Sequence, residues 1–312
     1  EEALPMLAKI LSRHHGFDCT VLFAQDPDHP GIADPNDQGN IPGLSTLGHA
    51  DLMILFTRFR ALPDSQMQHF RTYLEAGKPV FAIRTSTHAF RFRDPENSWS
   101  HWGNGYKGVK KDWHGGFGRK ILGANWHTHH GKHKHQSTRG IFPKGSSRHP
   151  VLTGIEDGAI WGPTDVYGIP LPLPEGARTI LLGQVVQRTG DFDESDLQYG
   201  MRETDRVPAT TDPANPEKGN PNDPMMPIVW TKPYKMDAGK TGIALTSTIG
   251  ASVDLLDPDL RRLFVNSAYF LLSLDIPGKA NVDLVGTYQP SRYMFHNDAY
   301  WDARKVRIEM LK

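Results

Sequence analysis

The stretch from Gly123 to Gln136 reads GANWHTHHGKHKHQ and packs five histidines, His127, His129, His130, His133 and His135, into nine positions. Imidazole exchanges protons near neutral pH and is the commonest side-chain metal ligand, so this density points to proton transfer or metal binding. If the chain stays extended after the apolar ILGANW, side chains alternate and His127 and His129 share one face. Histidines beyond Gly131 inherit no such direction. The expectation is that His127 and His129 enter a pocket as catalytic or metal-binding groups, while His133 and His135 face water. The alternative for His130, His133 and His135, set among Gly131, Lys132 and Lys134, is a solvated loop. Zinc is the divalent metal best suited to imidazole donors. A zinc site takes three or four protein ligands, however, and neither H-E-x-x-H nor a paired-cysteine motif occurs. Asp165, His88 or His149 would have to complete the shell.

A second stretch, GKPVFAIRTSTHAF from Gly77 to Phe90, reads as a helix end, a buried strand and a sharp turn. In α/β proteins such turns place ligands and nucleophiles at the carboxyl edge of the sheet. Arg84 directly follows the strand, then Thr85, Ser86, Thr87 and His88. A guanidinium offers only donors and stays charged, so Arg84 would bind or polarise an oxygen, or else clamp the protein's own carbonyls and acids. Ser86 and His88 lack an orienting acid in the sequence around them, which makes a serine nucleophile a weak reading. The expected site therefore takes His88, His127 and His129 as catalytic groups. Arg84, Thr85, Ser86, Trp126 and Asp165 are its substrate-binding groups.

The elements that must hold these residues alternate early in the chain. EEALPMLAKILSRHHG has helical spacing, with Leu4, Leu7, Ile10 and Leu11 on one face and Gly16 as the stop. The apolar runs FDCTVLFA and ADLMILF read as strands, and between them Gln25 to Gly43 is a Pro/Gly/Asp-rich loop. A helix capped at Asp64 or Ser65 and stopped at Gly77 leads into the strand Pro79 to Ile83. This alternation argues for a parallel sheet covered on both faces. From Arg91 to Arg148 the chain turns irregular and aromatic, with Trp99, Trp102 and Trp113 and only RKILGANW as a clear strand. Later strands are ARTILLGQVV, MMPIVWTKPY and GKTGIALTSTIG, with a solvated loop over 188–224. DPDLRRLFVNSAYFLLSL is a helix with Asp257 as N-cap and Pro258 at its first position. The expected organisation is one α/β domain over 1–274 and an arm over 275–312 lying on it.

Lysine plus arginine equals aspartate plus glutamate, 35 each, so the formal charge is zero and no basic stripe argues for nucleic acid. No apolar run is long enough to be a transmembrane segment. The one cysteine, Cys19, lies in an apolar run and is expected to be a buried small hydrophobe. The opening residues look like the inside of a helix, which suggests that upstream residues were removed. An export signal among them would place the protein in the periplasm or outside the cell, and otherwise it would be cytoplasmic.

GKPVFAIRTSTHAF, LGANWHTHHG, SSRHPVLTGI followed by GPTDVYG, and PIVWTKPY with GKTGIALTSTIGAS and DPDLRRLFVNSAYFLL together resemble the ThuA-like (trehalose utilisation) family of the class I glutamine amidotransferase-like superfamily. They stand in the family's order and span most of Gly77 to Leu274. The resemblance implies a flavodoxin-like three-layer αβα sandwich with a mostly parallel central sheet. It also implies a role in carbohydrate utilisation, with oxidised (keto) sugars or glycosides as ligands. Two departures stand out. The family's first strand is missing, and Arg84 occupies the turn where true amidotransferases carry cysteine, so a glutaminase reaction has no nucleophile. Two functions follow. One is a carbohydrate-processing enzyme, a hydrolase, lyase or isomerase, with a histidine- and aromatic-lined pocket. The other is a non-catalytic sugar- or partner-binding module, with self-association open in either case. The first expects His88, His127 and His129 to converge on Arg84.

Overall fold

The computed structural model describes residues 2–145, 148–211, 217 and 219–311. Its first element, α1 (Ala3–His15), buries Leu7, Ile10 and Leu11 of the stripe that the sequence spacing sets out, with Met6 in addition, while Leu4 is only partly buried. Gly16 ends it at φ 72°, where the Phe17 N–H reaches the Leu11 carbonyl and satisfies one of the helix's last orphan acceptors. The strand β1 (Met53–Leu55) leads through α2 (Asp64–Glu75) to β2 (Val80–Ile83). Asp64 is the first helical residue of α2 and not its cap. Its carboxylate accepts from Trp99 Nε1 at 2.9 Å and ties the helix to the tryptophan-rich segment.

Further along lie β3 (Thr128–His129), β4 (Gln136–Ile141), β5 (Trp161–Gly162), β6 (Tyr167–Gly168), β7 (Arg178–Gln187), β8 (Met226–Lys235) and β9 (Thr241–Ser247). The helix α3 (Pro258–Leu271) starts as its sequence dictates, with Asp257 accepting from the Leu260 N–H at 2.7 Å. A short α4 (Asp298–Arg304) lies in the C-terminal arm.

Seven strands form one sheet in the order β1-β2-β9-β8-β7-β4-β5, and β3 pairs with β6 apart from it. Only β1/β2 and β2/β9 are parallel, and the other four pairings of the large sheet are antiparallel. The expected mostly parallel sheet is thus corrected to a mixed one. Five residues join β8 to β9, a connection too short for a parallel crossover, whereas β1 and β2 are joined through a helix. Both faces of β2 are buried. Phe81 and Ile83 pack with α1 and α3, while Val80 and Ala82 pack with α2 and Trp102, Trp113 and Phe117.

Two expected strands are absent. Phe17 to Ala24 carries no strand ladder, although Phe17 and Cys19 lie against the core; its apolar alternation reports burial without pairing. In RKILGANW the buried Ile121 and Leu122 belong to a single π-helical turn, Gly118–Leu122, closed by Gly123 at φ 96°. Conversely, β4 escapes a hydrophobic search because its buried residues include Gln136, Ser137, Thr138 and Arg139. Each finds internal partners, such as Trp161 Nε1 on Ser137 Oγ at 3.0 Å and Thr138 Oγ1 on the Thr164 carbonyl at 2.6 Å. The loop 188–224 is also not wholly solvated, since Tyr199, Met201 and Asp205 are buried.

Candidate functional site

At the carboxyl ends of β1 and β2 the backbone turns through residues that are rarely left-handed. Phe59 has φ 51° and Arg84, the first residue after β2, has φ 44°. Hydrogen bonds hold both turns. The Phe59 N–H donates to the His88 carbonyl at 2.9 Å and the Arg60 N–H to the Ala89 carbonyl at 2.7 Å. Ser86 Oγ donates to the Leu55 carbonyl at 2.8 Å and accepts from the Thr57 N–H at 3.2 Å, locking the β1 and β2 turns together. Such strain persists only where its surroundings over-determine it, and it gathers at functional sites.

Beyond these turns opens a cleft of about 330 Å³, lined among others by Arg58, Arg84, Thr85, His129, His133 and Tyr167, and walled by the C-terminal arm from Ser291 onward. At its base Arg84 is 4 % exposed. Its guanidinium donates to the Thr248 carbonyl at 2.8 Å, to the Asp165 carbonyl at 3.2 Å and to Asp165 Oδ1 at 3.2 Å, with the Tyr167 ring 4.2 Å away. Arg84 thus serves as the clamp of protein oxygens that its donor-only chemistry allows.

Asp165 is the centre of the site. Its fully buried carboxylate receives His129 Nδ1 on Oδ2 at 2.6 Å and His133 Nδ1 on Oδ1 at 2.8 Å, as well as Arg84. Burial alone would raise this carboxyl. The hydrogen bonds from His129 and His133 and the charge of Arg84 outweigh that effect and hold it well below the usual carboxylate range. Two local features aim the rings. The register of β3 against β6 sets His129 opposite Tyr167, two residues from Asp165. After it the chain folds back: Gly131 N–H reaches the Val166 carbonyl, Lys132 N–H reaches Gln136 Oε1, and Lys134 takes φ 65° with its N–H on Tyr293 Oη at 2.9 Å. This tied turn brings His133 inward, where its ring lies 5.0 Å from that of His129 and edge-on to Tyr293 at 4.9 Å.

With Nδ1–H committed to the carboxylate, each imidazole presents Nε2 as an acceptor. Neither Nε2 has a protein partner among the described residues. A carboxylate that fixes the tautomer of two adjacent histidines equips them to take or deliver protons, or to bind a cation. His129, His133 and Asp165 bring ligand atoms within 4.8 Å of one another. The N···O separations of 2.6 and 2.8 Å are those of hydrogen bonds, so a cation held by all three groups would take the place of the bridging protons.

The residues expected from sequence divide. Arg84, Thr85, His129 and Asp165 come together at the cleft. Ser86 is fully buried in its hydrogen bonds to the β1 end. His88 lies behind the cleft among Phe59, Trp126 and Tyr167, with ring centres 5.0, 5.2 and 6.0 Å away. Burial, with Arg58 and Arg84 nearby, pushes its imidazolium down to about 3, so it is neutral at ordinary pH. Trp126 stands edge-on to His129 at 5.7 Å, with its buried Nε1 unpartnered among the described residues. His127 is exposed and contributes a backbone bond to the Gly168 carbonyl, and His135 stacks on Phe192. His149 is buried beside Phe270, where its Nδ1 accepts from the Val151 N–H. Sequence reasoning missed His133, Tyr167 and Tyr293. A spacing signal existed only for Tyr167, which shares period two with Asp165. A second hollow of about 310 Å³, on Trp161, Arg202, Asp254 and Asp257, contains none of these histidines.

Fold and site together define an α/β protein with a His–Asp–His cluster in a cleft at the carboxyl edge of its parallel strands. Solved structures similar to it include two of proteins named thua-like. One is of a protein named thua-like from Parabacteroides merdae ATCC 43184, 15% identical, covering 93% of this chain and 90% of that one with a TM-score of 0.44. The other, named likewise, is from Bacteroides uniformis ATCC 8492, 15% identical, covering 87% and 86% with a TM-score of 0.45. The ThuA-like resemblance in the sequence is thus a name these structures also bear. No family model and no curated protein matches the sequence.

Proposed function

We propose that the protein processes a sugar or keto-sugar derivative by proton transfer, with His129 and His133 as acid and base and Asp165, clamped by Arg84, as the group that orients them. The observation that carries this reading is the pair of Nδ1 hydrogen bonds to the two oxygens of one buried carboxylate. A base must present a lone pair and an acid a proton towards the substrate, and with both Nδ1 atoms tied to the carboxylate each Nε2 is left to do either, as the lone pair of a neutral ring or the N–H of an imidazolium. Tyr167, which lines the cleft, supplies an aromatic ring suited to a sugar, and Trp126 packs edge-on behind His129. His88, neutral and enclosed, backs the aromatic wall, and His127 has no part in the chemistry. The parallel core β1-β2-β9 with helices on both faces is read as a flavodoxin-like three-layer plan extended by antiparallel strands. The absent thiol argues against a glutaminase.

The same cluster is the proposed place of the divalent metal anticipated from the histidine run, with His133 in place of His127. The three convergent ligand atoms favour this second reading. Metal analysis of untagged protein tests it: stoichiometric zinc that is lost in both His129→Ala and His133→Ala supports it, and metal-free active protein rejects it. For the reaction itself, turnover of oxidised and native disaccharides is compared in the wild type and these variants. Removing an acid or base should cost about 10²–10⁴-fold in kcat. Unchanged turnover in both variants would sink the assignment, and tight sugar binding without turnover of any substrate would favour a binding module.

A further inference from the structure

The chain's formal charge is zero, yet Arg58, Arg84, Arg292 and Arg304 all line the one cleft. The carboxylate lining it is that of Glu2, whose oxygens accept from the Ser291 N–H at 2.8 Å and Ser291 Oγ at 2.7 Å. Asp165 neutralises Arg84 from beneath. A surplus of positive charge remains, and it needs a counter-charge.

Arg58 is the best prepared of the set. Its backbone sits between β1 and the left-handed Phe59, whose turn is pinned to the His88 and Ala89 carbonyls. Its guanidinium lies over the Phe295 ring at 3.7 Å and over Phe59 at 4.9 Å. Stacking covers the faces of the planar group and leaves its in-plane N–H fork unused. Among the described residues Arg58 makes no hydrogen bond and meets no carboxylate. Burial pulls it down from its usual range; Tyr167 opposes this, and the guanidinia of Arg91 and Arg60 add to it. An oriented, half-buried, unsatisfied fork is the arrangement that receives a carboxylate or phosphate in two parallel hydrogen bonds.

We infer that the ligand of this cleft is an anionic carbohydrate, a sugar acid or sugar phosphate, and that Arg58 anchors its charged group. The inference rests on the reading of the cleft as a sugar site and names the class of sugar. A cleft of about 330 Å³ is in the range of small-molecule sites.

The test is calorimetric titration of the intact protein with D-glucuronate, D-glucose 6-phosphate and D-glucose at low and high salt, for the wild type, Arg58→Gln and Arg58→Lys. One anion is expected to bind at least about tenfold more tightly than glucose and to weaken with salt, as a charge-assisted bidentate pair would. Which anion it is tells carboxylate from phosphate. Arg58→Gln should lose about tenfold or more in affinity for that anion, and Arg58→Lys should recover part of it, because an ammonium keeps the charge but not the fork. Thermal melting of both variants reports their folding separately. Glucose binding as tightly as both anions, no binding of any of the three at millimolar concentration, or an Arg58→Gln affinity equal to wild type would each overturn the inference. Equilibrium binding needs no turnover, so failure of the His129/His133 chemistry reads out independently.

Discussion

Replacing Asp165 by asparagine keeps the shape of the side chain and removes its charge, which makes it a sharp probe of how the site is held. In the wild type the carboxylate faces three side-chain donors, Arg84 at 3.2 Å, His129 at 2.6 Å and His133 at 2.8 Å, and none of its surface is exposed. Asparagine offers one acceptor oxygen and turns an NH₂ towards at least one of those donors. The guanidinium of Arg84, 4 % exposed, would keep only the carbonyls of Thr248 and residue 165. Leaving a buried charge without its partner costs about 3–5 kcal/mol. In a domain of this size that corresponds to a fall in Tm on the order of 5–10 °C. Differential scanning calorimetry of Asp165→Asn, Arg84→Met and the double variant measures it. Because Arg84→Met removes the stranded charge, the double variant should be more stable than the sum of the single losses predicts, by about 2 kcal/mol. A loss below about 1 kcal/mol in Asp165→Asn, or strict additivity, would refute the picture of one buried electrostatic unit. The wild-type carboxyl is depressed on folding, so its contribution is complete above the ordinary carboxylate range. It fades as pH falls below that range, and this acid limb should disappear in Asp165→Asn.

Other predictions follow the same logic. His88 falls from 6.5 to about 3 on folding, so between those values the unfolded chain binds the extra proton and stability drops as pH is lowered. His88→Asn should flatten the loss of stability between pH 6.5 and 4 by up to about 1.4 kcal/mol per pH unit, read as the difference between the two pH–Tm curves. A β-carbon on Gly118 would overlap the Thr87 carbonyl oxygen and crowd that of Ala124. Gly118→Ala should therefore cost about 1–3 kcal/mol in thermal unfolding and weaken ligand binding by shifting the turn after β2. Cys19 packs half-buried on the core side formed by α1 and α3, so Cys19→Ala should melt within a few degrees of wild type, and neither protein should release ammonia from glutamine.

Much of the frame was legible because it rests on local signals. The amphipathic stripe of α1, the Asp257–Pro258 start of α3 and the apolar cores of β1, β2, β7, β8 and β9 follow from periodicity and capping. So does the location of the cleft, since ligands gather where parallel strands end. Strand direction was not legible, because it depends on which connections cross the sheet and which merely reverse. β4 was hidden because its burial is polar. The sequence hides the direction of His133 because it comes from a tied turn at Lys132–Gln136 and from Tyr293, about 160 residues away, and no local rule carries information over that distance. In the sequence only its chemical type marks Asp165. Its role became visible only when β3 and β6 paired.

The wall of the cleft opposite the β-turns joins the two ends of the chain. Ala33 N–H bonds the Val306 carbonyl, Ile308 N–H bonds the Gly31 carbonyl, and Asn36 Nδ2 holds both the His296 carbonyl and Asp298 Oδ1. These contacts span 260 residues or more, so each closes a very long loop for only a few hydrogen bonds, and loop-closure entropy disfavours their early formation. This wall should assemble after the sheet and should also be the first part to open in the native protein. In hydrogen exchange the Ala33 and Ile308 amides would lose protection in a local fluctuation that leaves β8 and β9 intact. An entrance that opens without melting the base lets a ligand reach Asp165 and its histidines while the geometry that aims them stays fixed.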